Sequence, residues 1–175
     1  MYLQPLGAEV TAADAAIVKR WLEQTFALEV KILDRIDLPR RAYYKPRHRY
    51  RADKLLDTLR GCGPADAWRV MGLAAVDIST TKAPYDDWGV MGLGEIGGKT
   101  SVLSLFRCKK GARDAAHSAE RLGKVAVHEL GHTLGLDHCP RAGCLMEDAK
   151  GKVSTVDGEK SFCEVCRRTL GGVVR

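Results

Sequence analysis

Two spacings of apolar residues alternate along the chain, and each predicts a different kind of element. Residues 1 to 6 read as a short strand. Residues 11 to 27 carry Ala16, Ile17, Trp21, Leu22, Thr25 and Phe26 near helical spacing, with Thr11 as N-cap and Asp14 three residues on. Residues 28 to 36 alternate as a strand does. Leu55, Leu56 and Leu59 line one side of a helix predicted over 52 to 62. Three strand-like runs follow at 69 to 78, 88 to 96 and 100 to 107, with Gly97-Gly98 as a hairpin signal between the last two. Gly92 and Gly94 suggest a phosphate loop at first sight, but Gly97 does not complete that spacing and no helix follows, so the reading is set aside. Residues 114 to 135 read as one long helix with Ala126, Val127, Leu130 and Leu134 as its stripe. The last 40 residues are glycine-rich and irregular, and too short for a core of their own without a staple. The order of elements is that of an α/β (α+β) fold.

Composition narrows this. Hydrophobic residues make up 45% of the 175, enough for a real core in a single domain over 1–175, with 1–138 carrying the sheet and long helix and 139–175 a stapled segment. No run approaches the roughly 18 to 20 apolar residues that cross a bilayer, and Met1 to Pro5 lack the basic-then-apolar pattern of a signal peptide. A cytoplasmic protein acting as a monomer, with no membrane partner, is the expectation. The net charge of +6 is accounted for by solubility. Residues 39 to 51 mix Arg40, Arg41, Lys45, Arg47, Arg49 and Arg51 with Tyr43, Tyr44 and Tyr50, a mixture that can bind single-stranded nucleic acid. A solvated loop leading into a helix explains it as well, so nucleic acid is not the expected partner.

The segment His128-Glu129-Leu130-Gly131-His132-Thr133-Leu134-Gly135-Leu136-Asp137-His138 changes the picture. His128 and His132 are four apart on a predicted helix of 3.6 residues per turn, so both imidazoles leave one face and can reach one zinc. Glu129 lies beside the metal without ligating it. Gly135 suits the left-handed residue that ends helices, after which the chain can turn and bring His138 back. Asp137 is a rival third ligand, with His138 the better choice. Three neutral ligands leave an open position for a water whose pKa the zinc lowers. Glu129 would take the proton as that water attacks a carbonyl, then pass it to the leaving amine.

Of six cysteines, Cys139, Cys144, Cys163 and Cys166 fall close together. Four thiolates in two pairs suit one tetrahedral zinc, closed to water and therefore structural. Cys62 and Cys108 read as small buried residues.

The histidine segment resembles the extended zinc motif of the metzincin metallopeptidases, in which a methionine turn underlies the metal; Met146 is the candidate here. The full order, three histidines with a contiguous Cys139, then Cys144-x-Met146, then Cys163-x-x-Cys166, is similar to the archaemetzincins. That resemblance implies a compact domain with a mixed, twisted sheet, an active-site helix and two zincs per chain, one catalytic and one structural.

The function expected is a zinc-dependent metallopeptidase, aminopeptidase or endopeptidase, acting on peptide or protein. The run 88 to 106 can offer an edge strand to an extended substrate. A latent or inactive peptidase fold, and a zinc-stapled binding module for protein or nucleic acid, are the alternatives; Glu129, which metal binding alone does not require, argues against the module. Tyr85, His117 and Arg107 stand as undifferentiated candidates for the cleft.

Overall fold

A computed structural model describes residues 1–175. Strand β1 (Tyr2–Leu6) leads into helix α1 (Ala12–Thr25), followed by a short β2 (Lys31–Ile32). Then come β3 (Tyr43–Tyr44), β4 (Arg49–Arg51), helix α2 (Ala52–Leu59), β5 (Val70–Ala74), β6 (Ile78–Lys82), β7 (Tyr85–Val90), β8 (Gly92–Gly94) and β9 (Thr100–Ser104). Helices α3 (Leu105–Lys109), α4 (Ala115–Thr133), α5 (Val153–Gly158) and α6 (Glu164–Leu170) complete the chain. None of them is long and apolar enough to cross a membrane.

The expected mixed sheet is present, with order β2-β1-β5-β9-β8. Its first four strands run parallel, and β8 returns antiparallel to β9 along the edge. Strand β5 is buried throughout because both faces are covered. Met71 and Leu73 join Leu103 of β9 in a core under α1 and α4, while Val70 and Ala74 join Val102 in a second core under α2. Period-two alternation thus feeds two cores from the same strands.

Thr11 caps α1 as expected, and Asp14 completes a capping box through its contact with the Thr11 N–H at 3.0 Å. The face buried matches the expected stripe in part, at Leu22 and Phe26. Ala15, Val18 and Leu22 are buried, Ala16 is exposed, and Ile17 and Trp21 are half-buried. Both stripes have helical spacing; contact with α4 decides between them.

Three expected strands are shorter or divided. Of 28 to 36 only Lys31–Ile32 forms a strand, with an isolated bridge at Ile36. The run 69 to 78 breaks at Ala75 to Asp77, where Asp77 leaves the sheet to pair with Arg49 at 2.9 Å and Arg107 at 2.6 Å. Beyond the break β6 enters a second sheet of order β3-β4-β6-β7. The run 88 to 96 likewise divides at Met91, β7 in the small sheet and β8 in the large one. The last residues of 100 to 107 start α3.

The C-terminal segment is more ordered than its composition indicated. Val156, Phe162 and Leu170 enter the same core as Leu3 and Leu130. Phe162 meets Phe26 edge-on at 5.9 Å. An ion cluster ties α5 to α4. Arg121, buried, donates to both carboxylate oxygens of Asp157 at 2.7 and 2.8 Å, and to the carbonyls of Cys108 and Lys110. The Arg113 N–H donates to His117 Nδ1, so His117 Nε2–H donates to Asp157 at 2.8 Å.

The Arg121 guanidinium, with His117, holds the Asp157 carboxyl well below the usual carboxylate range. Its lowered folded pKa means that Asp157 adds stability above an unfolded pKa near 3.8, and that this stability disappears as pH falls further. Asp157→Asn is therefore expected to be less stable than the parent in urea at pH 7. The difference should shrink below pH 4, and a pH-independent difference would show that the pair's charge is not what matters.

Candidate active site and metal centre

Helix α4 delivers His128 and His132 one turn apart, and their Nε2 atoms approach to 2.9 Å. Each Nδ1 lies 2.7 Å from a backbone carbonyl, of Leu145 and Leu136 respectively. Carbonyls only accept, so both Nδ1 atoms carry the proton and both Nε2 atoms present lone pairs. Two lone pairs at that distance make no hydrogen bond. They need a cation between them, and this is the donor chemistry zinc uses.

Gly135 takes φ +94 and ends the helix in a Schellman turn: Leu136 N–H donates to Gly131 O at 3.0 Å, and Gly135 N–H to His132 O at 2.9 Å. The reversal swings His138 back, its ring 5.3 Å from His128 and 4.8 Å from His132. One nitrogen from each histidine falls in a cluster no wider than 4.8 Å. Asp137 is not in that cluster. Met146 is fully buried, and its Sδ would lie 2.6 Å from a Cβ added at Gly131, so it lies beneath the histidine-bearing turn.

Burial pushes the His128 imidazole down to about 3, with His132 beside it adding to the effect; burial likewise lowers His132. Both stay neutral, the form that binds metal. Glu129 is also buried, and burial pushes its carboxyl up to about 8; a hydrogen bond from Gly94 works against this and the charge of Glu159 works with it.

The four clustered cysteines are free thiols. Cys139 and Cys163 sulfurs are 3.7 Å apart, and Cys144 and Cys166 3.8 Å. Sulfurs at the corners of a tetrahedron around zinc at about 2.3 Å would be about 3.8 Å apart. Cys163 opens α6 and its thiol is pulled down to about 7, first by the hydrogen bond from Cys166. Cys139 N–H donates to Met146 O at 2.7 Å, so this cluster and the methionine turn share one stretch of backbone.

The histidines open onto a cavity of about 390 Å³. One wall is β8. A Cβ at Gly92 would lie 2.4 Å from Glu129 Oε1, and one at Gly94 2.6 Å from the Glu129 carbonyl. These glycines, which sequence reasoning tested only as a phosphate loop, exist because the strand lies directly on the helix. Their spacing of two was the available signal. Val156 and Glu159, also lining the cavity, had no signal in the sequence. Tyr85, His117 and Arg107 line none of it: Tyr85 stacks near Trp88, while the other two serve the ion pairs described above.

Fold, histidine triad and cavity define the class as a zinc metallopeptidase. Residues 13–171 match the model of peptidase family M54, and the chain belongs to that family, with the archaemetzincins. It is 36% identical over 162 residues to an archaemetzincin of Methanopyrus kandleri, covering 89% of this chain and 87% of the relative. The crystal structure of archaemetzincin from that organism superposes with a TM-score of 0.81 at 34% identity, covering 97% and 93% of the two chains. Archaemetzincin from Archaeoglobus fulgidus, crystallised with malonate, superposes at 0.79 with 32% identity over 96% and 98%. The resemblance read from the motif order is borne out.

Gly92→Ala is expected to displace the Glu129 carboxylate while leaving the histidines in place. Peptide cleavage should fall about 10- to 100-fold in kcat with zinc content unchanged. Wild-type kcat in this variant would mean that the strand simply moves aside.

Proposed function

We propose that the chain hydrolyses peptide bonds at the histidine cluster, with His128, His132 and His138 holding one zinc and Glu129 carrying the proton. The observation that carries this reading is the pair of lone-pair-bearing Nε2 atoms at 2.9 Å, with both Nδ1 atoms committed to carbonyls. Zinc held there would supply a Lewis acid and lower the pKa of water to about 7. Glu129, adjacent to the triad, would accept a proton from the attacking water and return it to the leaving amine. Gly92, Leu93 and Gly94 form an edge of the sheet along the cavity, where an extended substrate can add a strand.

Cys139, Cys144, Cys163 and Cys166 would hold a second zinc in a closed shell with a structural role. Against a nucleic-acid module, Arg49 and Arg51 of the basic run are engaged by Asp77, Asp87 and Asp53 within the protein.

Metal analysis of protein prepared without added zinc should find two zincs per chain in the parent and in Glu129→Ala, and about one in His132→Ala. Cleavage of a peptide library should belong to the parent alone, with a loss of about 100-fold or more in Glu129→Ala. Cleavage that survives Glu129→Ala would sink the assignment of the proton carrier. Full zinc in His132→Ala would sink the ligand set.

A further inference from the structure

The cavity holds a second carboxylate that the proposed chemistry leaves unused. Glu159, at the end of α5, lines the cavity and is 3% exposed. Its Oε2 has no hydrogen-bond partner. Lys124, the buried cation whose charge bears on Glu159, makes its hydrogen bonds elsewhere, to Glu120 at 2.6 Å and to the Val156 carbonyl at 3.2 Å. A carboxylate buried without a partner is costly, and its retention inside a ligand cavity points to a partner that arrives with the ligand. Beside it the wall is apolar: Val125, three residues before His128 on α4, Val156 and Ala149. The other cations on the cavity, Lys82 and Lys150, are exposed, and Lys82 faces Asp148 at 3.7 Å. The lining therefore joins the histidines, alkyl-compatible side chains and a buried carboxyl without a partner, while the cavity's other unused acid, Asp148, already faces Lys82. An alkyl stem ending in a cation meets both requirements.

We propose that Glu159 is a specificity-determining residue that receives a cationic group of the substrate, an ammonium or guanidinium, in the cavity beside the zinc site. This rests on the peptidase reading above and adds the substrate class to it. The cation is supplied either by a lysine or arginine side chain or by the free amino terminus.

The test uses the zinc-loaded protein, its occupancy measured, and binding of amino-acid hydroxamates followed through the fluorescence of Trp88, which lines the same cavity. Lysine hydroxamate is compared with norleucine hydroxamate, and free norleucine hydroxamate with its N-acetyl form, in the parent and in Glu159→Gln. The expected result is a preference of about ten-fold or more for the cationic partner of one pair, collapsing to about one in Glu159→Gln. Preference within the first pair identifies the side chain as the source, and within the second the amino terminus. A role confined to packing would weaken all ligands together and leave the ratios unchanged. Equal affinities in the parent, or a preference that persists in Glu159→Gln, would overturn the proposal. Selective binding with no peptide cleavage would uphold the cationic pocket while overturning the peptidase reading.

Discussion

Between β8 and α4 there is no room for a side chain, and the geometry of the site follows from that. A strand and a helix normally keep apart by the thickness of the residues between them. Here Gly92 and Gly94 point at the helix and Leu93 points away, toward the core under α2. The edge of the sheet therefore comes down onto the turn that carries Glu129 and His132. Gly94 lies against the Glu129 backbone, where an added Cβ would come within 2.6 Å of its carbonyl, and Gly97 N–H reaches the His132 carbonyl at 2.9 Å. The proposed proton carrier, metal ligands and substrate-pairing edge would thus be held in one contact, which is the preorganisation that hydrolysis requires.

A second constraint acts from below. The Schellman turn aims the chain back, but a turn alone does not fix His138, which is exposed. The residue after it, Cys139, is anchored twice, by its hydrogen bond to Met146 O and by the sulfur cluster with Cys163. The Leu145 carbonyl that orients His128 belongs to the same loop. A metal in the cysteine cluster would stiffen the loop that orients one histidine and anchors another. Coupling of this kind explains why four thiols are clustered next to a site whose chemistry does not use them.

The features legible in the sequence were those set by local rules. The capping box at Thr11, the long helix, the glycine after it and both ligand clusters all depend on residues near one another in the chain. Features set by distant partners were not legible. The break after Ala74 exists because Asp77 answers Arg49 and Arg107, and no local pattern announces it. The division at Met91 reflects two sheets competing for one apolar run. The buried face of α1 keeps Leu22 and Phe26 of the expected stripe but takes in Ala15 and Val18 instead of Ala16, because α4, distant in the chain, packs there. The C-terminal segment looked too short for a core of its own because its few large residues, Phe162 among them, are buried against the body and not against each other.

The same distinction explains the two buried carboxyls of the cavity. Glu129 is recognisable because it sits between histidines, whereas Glu159 is one acid among many in a charged segment. Yet burial pushes both up to about 8, and the charge of Glu159 adds to the shift at Glu129. Two such groups in one cavity oppose folding, since an apolar residue at either position would pack at lower cost. The fold tolerates them because its support lies elsewhere: in two hydrophobic cores, in the Arg121–Asp157 tie that fixes α5, and in a cysteine cluster that would add metal-binding energy on taking up zinc. Where local consistency is broken and the remainder of the structure sustains the break, the broken rule marks function. By that criterion Glu159 belongs with Glu129, and the cavity between them is the part of the molecule shaped for a ligand.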